Sequence, residues 1–393
     1  MARTPCSRIA AALVALIALG AGCGGGSDEA AADPHGGHGG GAVDPLRPIA
    51  GEPVALGPDE DLYAGPDPLP AGDHGTLLRY QEVDPAPMAG ARAYRILYLG
   101  QTLTGEPTAV SGTVLVPDGA PAAERAVIGL APAATGLADE CAPSRTMGGD
   151  LARVGPHLAA GHVVAATDLE GLGTPGRHPH LIGPSAGRSV LDAVRAAQQV
   201  PGVGVATHVG LTGRAEGGHA ALWADRLAAT WAPELPLVGT LARAPATDLG
   251  AVVERPEDGP ALLLLVAGLA ASSRYVRPAD LLSDAGLAAL DRAATTCLDA
   301  LRADLATVAP ADLLRPAGAS PAWVAAAAGN DPGAEAGADP VLLVGEGDGV
   351  DRLAARLCTA GQDVEVRPSG EDEDAAAWFT ARIEGEAVAA GAC

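Results

Sequence analysis

Gly213-Arg214-Ala215-Glu216-Gly217 lies between a short apolar run and a helix-forming run. Its glycines have the G-x-S-x-G spacing of the sharp turn that lifts a serine hydroxyl above a sheet to attack an acyl carbon. Ala215 occupies the serine's place, and a methyl group has no oxygen with which to attack. "GPSAG" at 183–187 does satisfy the pattern through Ser185, but no strand leads into Gly183 and Pro184 stiffens the turn. Ser185 or Ser189 is instead expected to cap the following helix. Other residues of catalytic type read as structural. His219, one turn beyond the elbow, is expected to pack, as are His178 and His180 in "GRHPHL", with no metal or other cofactor. Asp168 and Glu170 are expected to hold the adjacent glycine-rich loop through hydrogen bonds, and "EDED" (371–374) to be a solvated loop.

Such a turn needs a strand running in and a helix running out. Apolar runs at 93–99, 111–117, 125–131, 162–168, 208–213, 237–242 and 340–348 have strand character, and Ala-rich runs at 186–200 and 218–231 have helix character. Short buried strands alternating with helices predict a doubly wound, mostly parallel α/β sheet. The alternation stops over 251–328, a Leu- and Ala-rich segment punctuated by Pro260, Pro278, Pro310 and Pro321, which is expected to form an inserted helical cap. "ALLLLVAGLAA" (261–271) within it reads as a buried cap helix. The sheet core is then split into 71–250 and 329–393.

The N-terminus reads as an export signal over 1–22, with Arg3 and Arg8 flanking an apolar stretch too short to span a bilayer. "LGAGC" resembles a lipobox, which implies a lipid anchor on Cys23. Residues 23–70 have no hydrophobic period and are expected to be a disordered tether; His35 and His38 in "HGGHGGG" make at most a weak metal site. Once Cys6 and Cys23 are set aside, Cys141, Cys297, Cys358 and Cys393 remain, an even number that in an oxidising compartment predicts two disulfides among three pairings. All 25 basic residues are Arg, and the net charge of −23 argues against a nucleic-acid partner.

"SGTVLVP", "TGLADECAPS", "DLEGLGTPGRHPHL", "SVLDAVRAA", "GGHAALWA" and "LCTAGQDVEV" occur in the order seen in the secretory lipases. The chain from about Gly75 to Cys393 resembles that family, which implies the α/β-hydrolase fold and disulfides Cys141–Cys297 and Cys358–Cys393. The resemblance places Asp348, in "GEGDGVD", at the acid of the triad, and Glu373 where the family has histidine. Pro132 and Ala133 replace a His-Gly pair of the oxyanion region, beside which Glu216 also falls. "RHPHL" matches a His-Pro-Tyr segment, with His180 in the tyrosine position. The nine histidines are 35, 38, 74, 157, 162, 178, 180, 208 and 219, so none follows Asp348 to complete the order nucleophile, acid, histidine.

The expected function is that of an exported lipoprotein that has lost Ser-His-Asp chemistry. It is expected to bind an apolar or acyl ligand, or a partner, and to meet the membrane through its N-terminal lipid. An ester hydrolase with an unrecognised nucleophile, and a structural envelope lipoprotein, are the alternatives.

Overall fold

The computed structural model describes residues 50–84, 90–119, 125–368, 372–386 and 393. Cys23, His35, His38 and the export signal lie outside them. One sheet contains β1 (Val54–Leu56), β2 (Leu77–Val83), β3 (Ala91–Gln101), β4 (Pro107–Pro117), β5 (Ala126–Ala131), β6 (Val163–Thr167), β7 (His208–Arg214), β8 (Leu237–Arg243), β9 (Val341–Val344) and β10 (Val364–Arg367). Their spatial order is β1-β2-β3-β4-β6-β5-β7-β8-β9-β10. From β6 to β10 every neighbouring pair is parallel, whereas β2, β3, β4 and β6 are joined by antiparallel pairings.

The central strands read as unbroken apolar runs because both faces are covered. Val127, Val163, Val209 and Leu211 point to one side, where they meet α3 (Gly183–Ala197) and α4 (Glu216–Trp231). Their chain neighbours Leu130, Val164 and Ala166 point to the other, packing with Leu151, Val154 and Leu158 of the segment that contains α1 (Pro143–Thr146) and α2 (Gly155–Ala159). Over β8 and β9, α11 (Asp348–Ala360) and α12 (Asp372–Ile383) cover opposite faces.

Between β8 and β9 the chain is helical: α5 (Leu249–Glu254), α6 (Gly259–Ser272), α7 (Pro278–Leu281), α8 (Asp284–Ala293), α9 (Leu298–Asp304) and α10 (Pro321–Ala328). They share a separate apolar core centred on Leu262–Leu265 of α6, each at most 2% exposed, so this run is buried in the cap. A cation-free apolar helix of 14 residues is also short for a bilayer, and among the described residues no helix is long and apolar enough to cross one. The cap is fastened by Cys141–Cys297; Cys358–Cys393 ties the C-terminus to α11.

Three expected boundaries need correction. The tether does not extend to Pro70: β1 pairs in parallel with β2, and Leu62 and Tyr63 are buried among Leu78, Leu97 and Leu99, so scattered apolar residues without a period still find a partner surface. The run 340–348 is strand only to Val344, and Asp348 opens α11. Positions 372–374 of "EDED" are the first turn of α12, where the helix dipole favours acidic residues.

Asp225 of α4 provides a pH-dependent element. Burial, and then the nearby Asp339, push its carboxyl up to about 8, while Gln362 Nε2 donates to Oδ2 at 3.3 Å. Between about pH 4 and 8 the folded chain keeps a proton that the unfolded chain has released, so this group lowers stability as pH rises, by about 1.4 kcal/mol per unit. Asp225→Asn imitates the protonated form. Urea unfolding from pH 5 to 8.5 is expected to show a flatter profile for the variant and a gain of a few kcal/mol near pH 8; an unchanged slope refutes the assignment.

Candidate functional site

β7 runs into the elbow and α4 runs out of it. Ala215 has φ 53° and ψ −112°, a conformation sparsely populated by L-residues that costs on the order of 1–3 kcal/mol. The surroundings hold it there. The Ala215 N–H donates to the Arg243 carbonyl at 2.9 Å, and the Ala215 carbonyl accepts from the N–H groups of His219 and Ala246, each at 3.0 Å. A Cβ on Gly213 would lie 2.2 Å from the Gly217 carbonyl oxygen, and one on Gly217 would lie 1.9 Å from the Ala131 carbonyl oxygen. The strained turn is thus retained with alanine at its apex.

The Asp348 side chain is 93% exposed, with Arg352 3.9 Å away. Glu373 lies on the first turn of α12, and its side chain is outside the described residues. In the oxyanion region, Pro132 has no N–H, and the Ala133 N–H donates to Asp150 Oδ2 at 2.7 Å. Asp150 Oδ1 also accepts from Arg214 Nε at 3.1 Å. A carboxylate of the protein itself therefore takes an amide of the segment expected to hold an oxyanion. Nothing in the pattern "GGD" at 148–150 signals this role, because it arises only when the loop folds back on β5.

Ser185 is 2% exposed and lies on α3, where it makes no cap; its hydroxyl donates to the Glu170 carboxylate, which explains the failure of the capping expectation. Ser189 Oγ donates to the Ser185 carbonyl at 3.0 Å. His219 Nε2–H donates to the Asn330 carbonyl at 2.8 Å, and burial holds its pKa down to about 4, so it stays neutral and packs against Trp223. Asp168 accepts from Ser111 Oγ at 2.6 Å and from the Ser144 N–H at 2.8 Å, bridging β4 to α1.

The structure brings the histidine pair of "GRHPHL" together with Glu216, which the sequence places in a different segment. His178 Nε2 lies 3.0 Å, and His180 Nδ1 2.7 Å, from the same Glu216 oxygen. All three side chains are at most 5% exposed. His178 Nδ1 faces the Glu170 carbonyl at 2.8 Å, whereas His180 Nδ1 has no aligned hydrogen-bond partner despite its closeness to Glu216. Burial alone would raise the Glu216 carboxyl, but the imidazoles of His180 and His178 more than offset it and hold that carboxyl well below its usual range. For His178 burial acts downward and is outweighed by Glu216, so its imidazole titrates above its ordinary value.

A cavity of about 60 Å³ abuts the elbow, lined by Ile128, Leu130, Val154, Thr212, Gly213 and Arg214 among others. This is room for one or two waters, well below the roughly 300–1,000 Å³ of ordinary ligand pockets.

Residues 142–307 match the family model described as secretory lipase. "Probable inactive lipase MT1628" of Mycobacterium tuberculosis is 30% identical over 215 residues, covering 50% of this chain and 47% of that protein. "Secreted triacylglycerol lipase LIP4" of Malassezia globosa is 31% identical over 247 residues, covering 58% and 52%. The chain thus spans about half the length of these curated relatives. Lipase A of Candida antarctica superposes with a TM-score of 0.67 at 18% identity, over 84% of this chain and 87% of that one. The rice cell wall degrading esterase LipA of Xanthomonas oryzae gives 0.66 at 21%, over 80% and 97%. The fold is that of the α/β-hydrolase lipases, and the chain is secretory-lipase-like. Two disulfides and this similarity fit export to an oxidising compartment.

Proposed function

We propose that this secretory-lipase-like chain is a pseudo-hydrolase of the bacterial cell envelope, anchored by a lipid on Cys23, that does not turn over esters. Its retained role is non-covalent, as the binder of an apolar ligand or a partner protein. The observation that carries the reading is Ala215, seated in the strained conformation of a nucleophile with no oxygen to present. Asp348 turned to solvent and the Ala133 amide bonded to Asp150 support it. Loss of a complete triad costs on the order of 10⁶-fold in rate, and the residue left over depends on an intact oxyanion hole.

Fluorophosphonate labelling of the purified protein tests this reading: no adduct is expected, and a stoichiometric adduct on any Ser or Thr would establish the rival hydrolase. Ala215→Ser alone is expected to give no ester turnover above background, since no histidine follows Asp348 to serve as the triad base and the Ala133 N–H is already bonded to Asp150. Hydrolysis of a p-nitrophenyl ester by that variant, lost on mutation of a nearby histidine, overturns the expectation.

A second reading is a structural envelope protein; the cavity beside the elbow is too small for an acyl chain and is lined by no residue of the cap. Melting-temperature scans with fatty acids and esters separate the two. An upward shift saturating with ligand supports the apolar-ligand role, and no shift across the series supports the structural or partner role.

A further inference from the structure

We propose that His178, His180 and Glu216 form a binding site for one divalent transition-metal ion of the zinc class. The donor set is two imidazole nitrogens and one carboxylate oxygen. That combination suits Zn²⁺ or Co²⁺, whereas Ca²⁺ and Mg²⁺ take oxygen sets.

The three donor atoms all lie within 4.8 Å of one another, with the two nitrogens 3.0 and 2.7 Å from Glu216 Oε1. Around a tetrahedral zinc with bonds of about 2.1 Å, neighbouring donors stand about 3.4 Å apart. The two nitrogen–oxygen distances would open by about 0.4 and 0.7 Å to reach that spacing around an ion.

Hydrogen-bond chemistry points the same way. His178 Nδ1–H donates to the Glu170 carbonyl, which leaves the Nε2 lone pair directed at Glu216. An ionised carboxylate only accepts, so a cation must lie between the two acceptors, and either a proton or a metal ion serves. His180 Nδ1, buried without an aligned hydrogen-bond partner, is the second nitrogen and lies 2.7 Å from that oxygen. A metal ion would take all three lone pairs at once and release the protons that otherwise separate them.

The donors are also held from behind. The Glu170 carbonyl sets the tautomer and orientation of His178, as outer-shell carbonyls do at histidine metal sites, and the Glu170 carboxylate is itself held by Ser185. Glu216 is the first residue of α4, fixed by the elbow. α6 clamps the backbone of His180: a Cβ on Gly268 would come within 2.0 Å of the His180 carbonyl oxygen. His180 stands where the secretory-lipase pattern has tyrosine, so the second nitrogen belongs to this chain and not to that pattern. Three protein donors leave a fourth position for water or a small ligand.

The full chain, stripped with chelator and dialysed, is titrated with Co²⁺ and then with Zn²⁺. The expected result is one Co²⁺ per chain with the intense visible bands of a four-coordinate ion, bleached by one equivalent of Zn²⁺, and a raised melting temperature. His180→Tyr and Glu216→Gln are each expected to weaken binding at least about 100-fold, while His35→Ala/His38→Ala leaves it unchanged. Absence of stoichiometric uptake by the wild-type chain overturns the proposal without any variant. So does uptake that survives Glu216→Gln and His180→Tyr but is lost in the His35/His38 variant.

Discussion

Gly217→Ala is expected to abolish the native fold, or to cost more than about 4 kcal/mol if any folded protein is recovered, the size reserved for severe steric conflict in a core. The added Cβ would stand 1.9 Å from the Ala131 oxygen, 2.6 Å from the Ala131 carbonyl carbon and 2.8 Å from the Pro132 oxygen. These are backbone atoms at the end of β5, so no rotamer change relieves the clash. α4 would have to lift away from the sheet, but Ala220, Ala221 and Ala224 are fully buried against it. Serine at 215 is not what the glycines serve in this protein; they let strand and helix touch. Urea denaturation followed by circular dichroism measures the loss, and a change of less than about 1 kcal/mol would show that the close approach is not real.

Removing Cys141–Cys297 is expected to be the larger of the two disulfide effects. The bond closes a separation of 156 residues, for which loop-closure entropy gives about 5 kcal/mol, against about 4 kcal/mol for the 35-residue separation of Cys358–Cys393. Its location sharpens the expectation. Cys297 immediately precedes α9, and the Leu298 N–H donates to the Thr135 carbonyl at 2.8 Å, so the bond pins the cap to the loop after β5. The Cys141→Ala/Cys297→Ala variant should therefore open the cap first. Limited proteolysis is expected to cut within 251–328 while β5, β7 and β8 stay protected. Uniform cleavage, or a loss smaller than that of Cys358→Ala/Cys393→Ala, contradicts this.

Much of the scaffold was legible because its signals are local. β5, β6, β7 and β8 are short apolar runs with both faces buried, and they fall within a residue of the expected bounds. β2 was missed because "LLRYQEV" near the sheet edge mixes polar and apolar residues, and β1 because three residues carry no period. Ser185 could not be placed by its pattern, since its partner Glu170 reaches it only through the loop between β6 and α3.

The absence of a serine and a histidine at the expected triad positions is written in residue types: alanine at 215 and no imidazole after Asp348 hold whatever the fold, because no arrangement creates an oxygen or a nitrogen that those side chains lack. Tertiary structure alone decided what surrounds these positions. Asp150 is 17 residues from the Ala133 amide it occupies, and Glu216 is 38 residues from His178. Neither separation has a helical or strand period, so only the sheet's long crossovers bring a carboxylate to the Ala133 amide and two imidazoles to a buried glutamate.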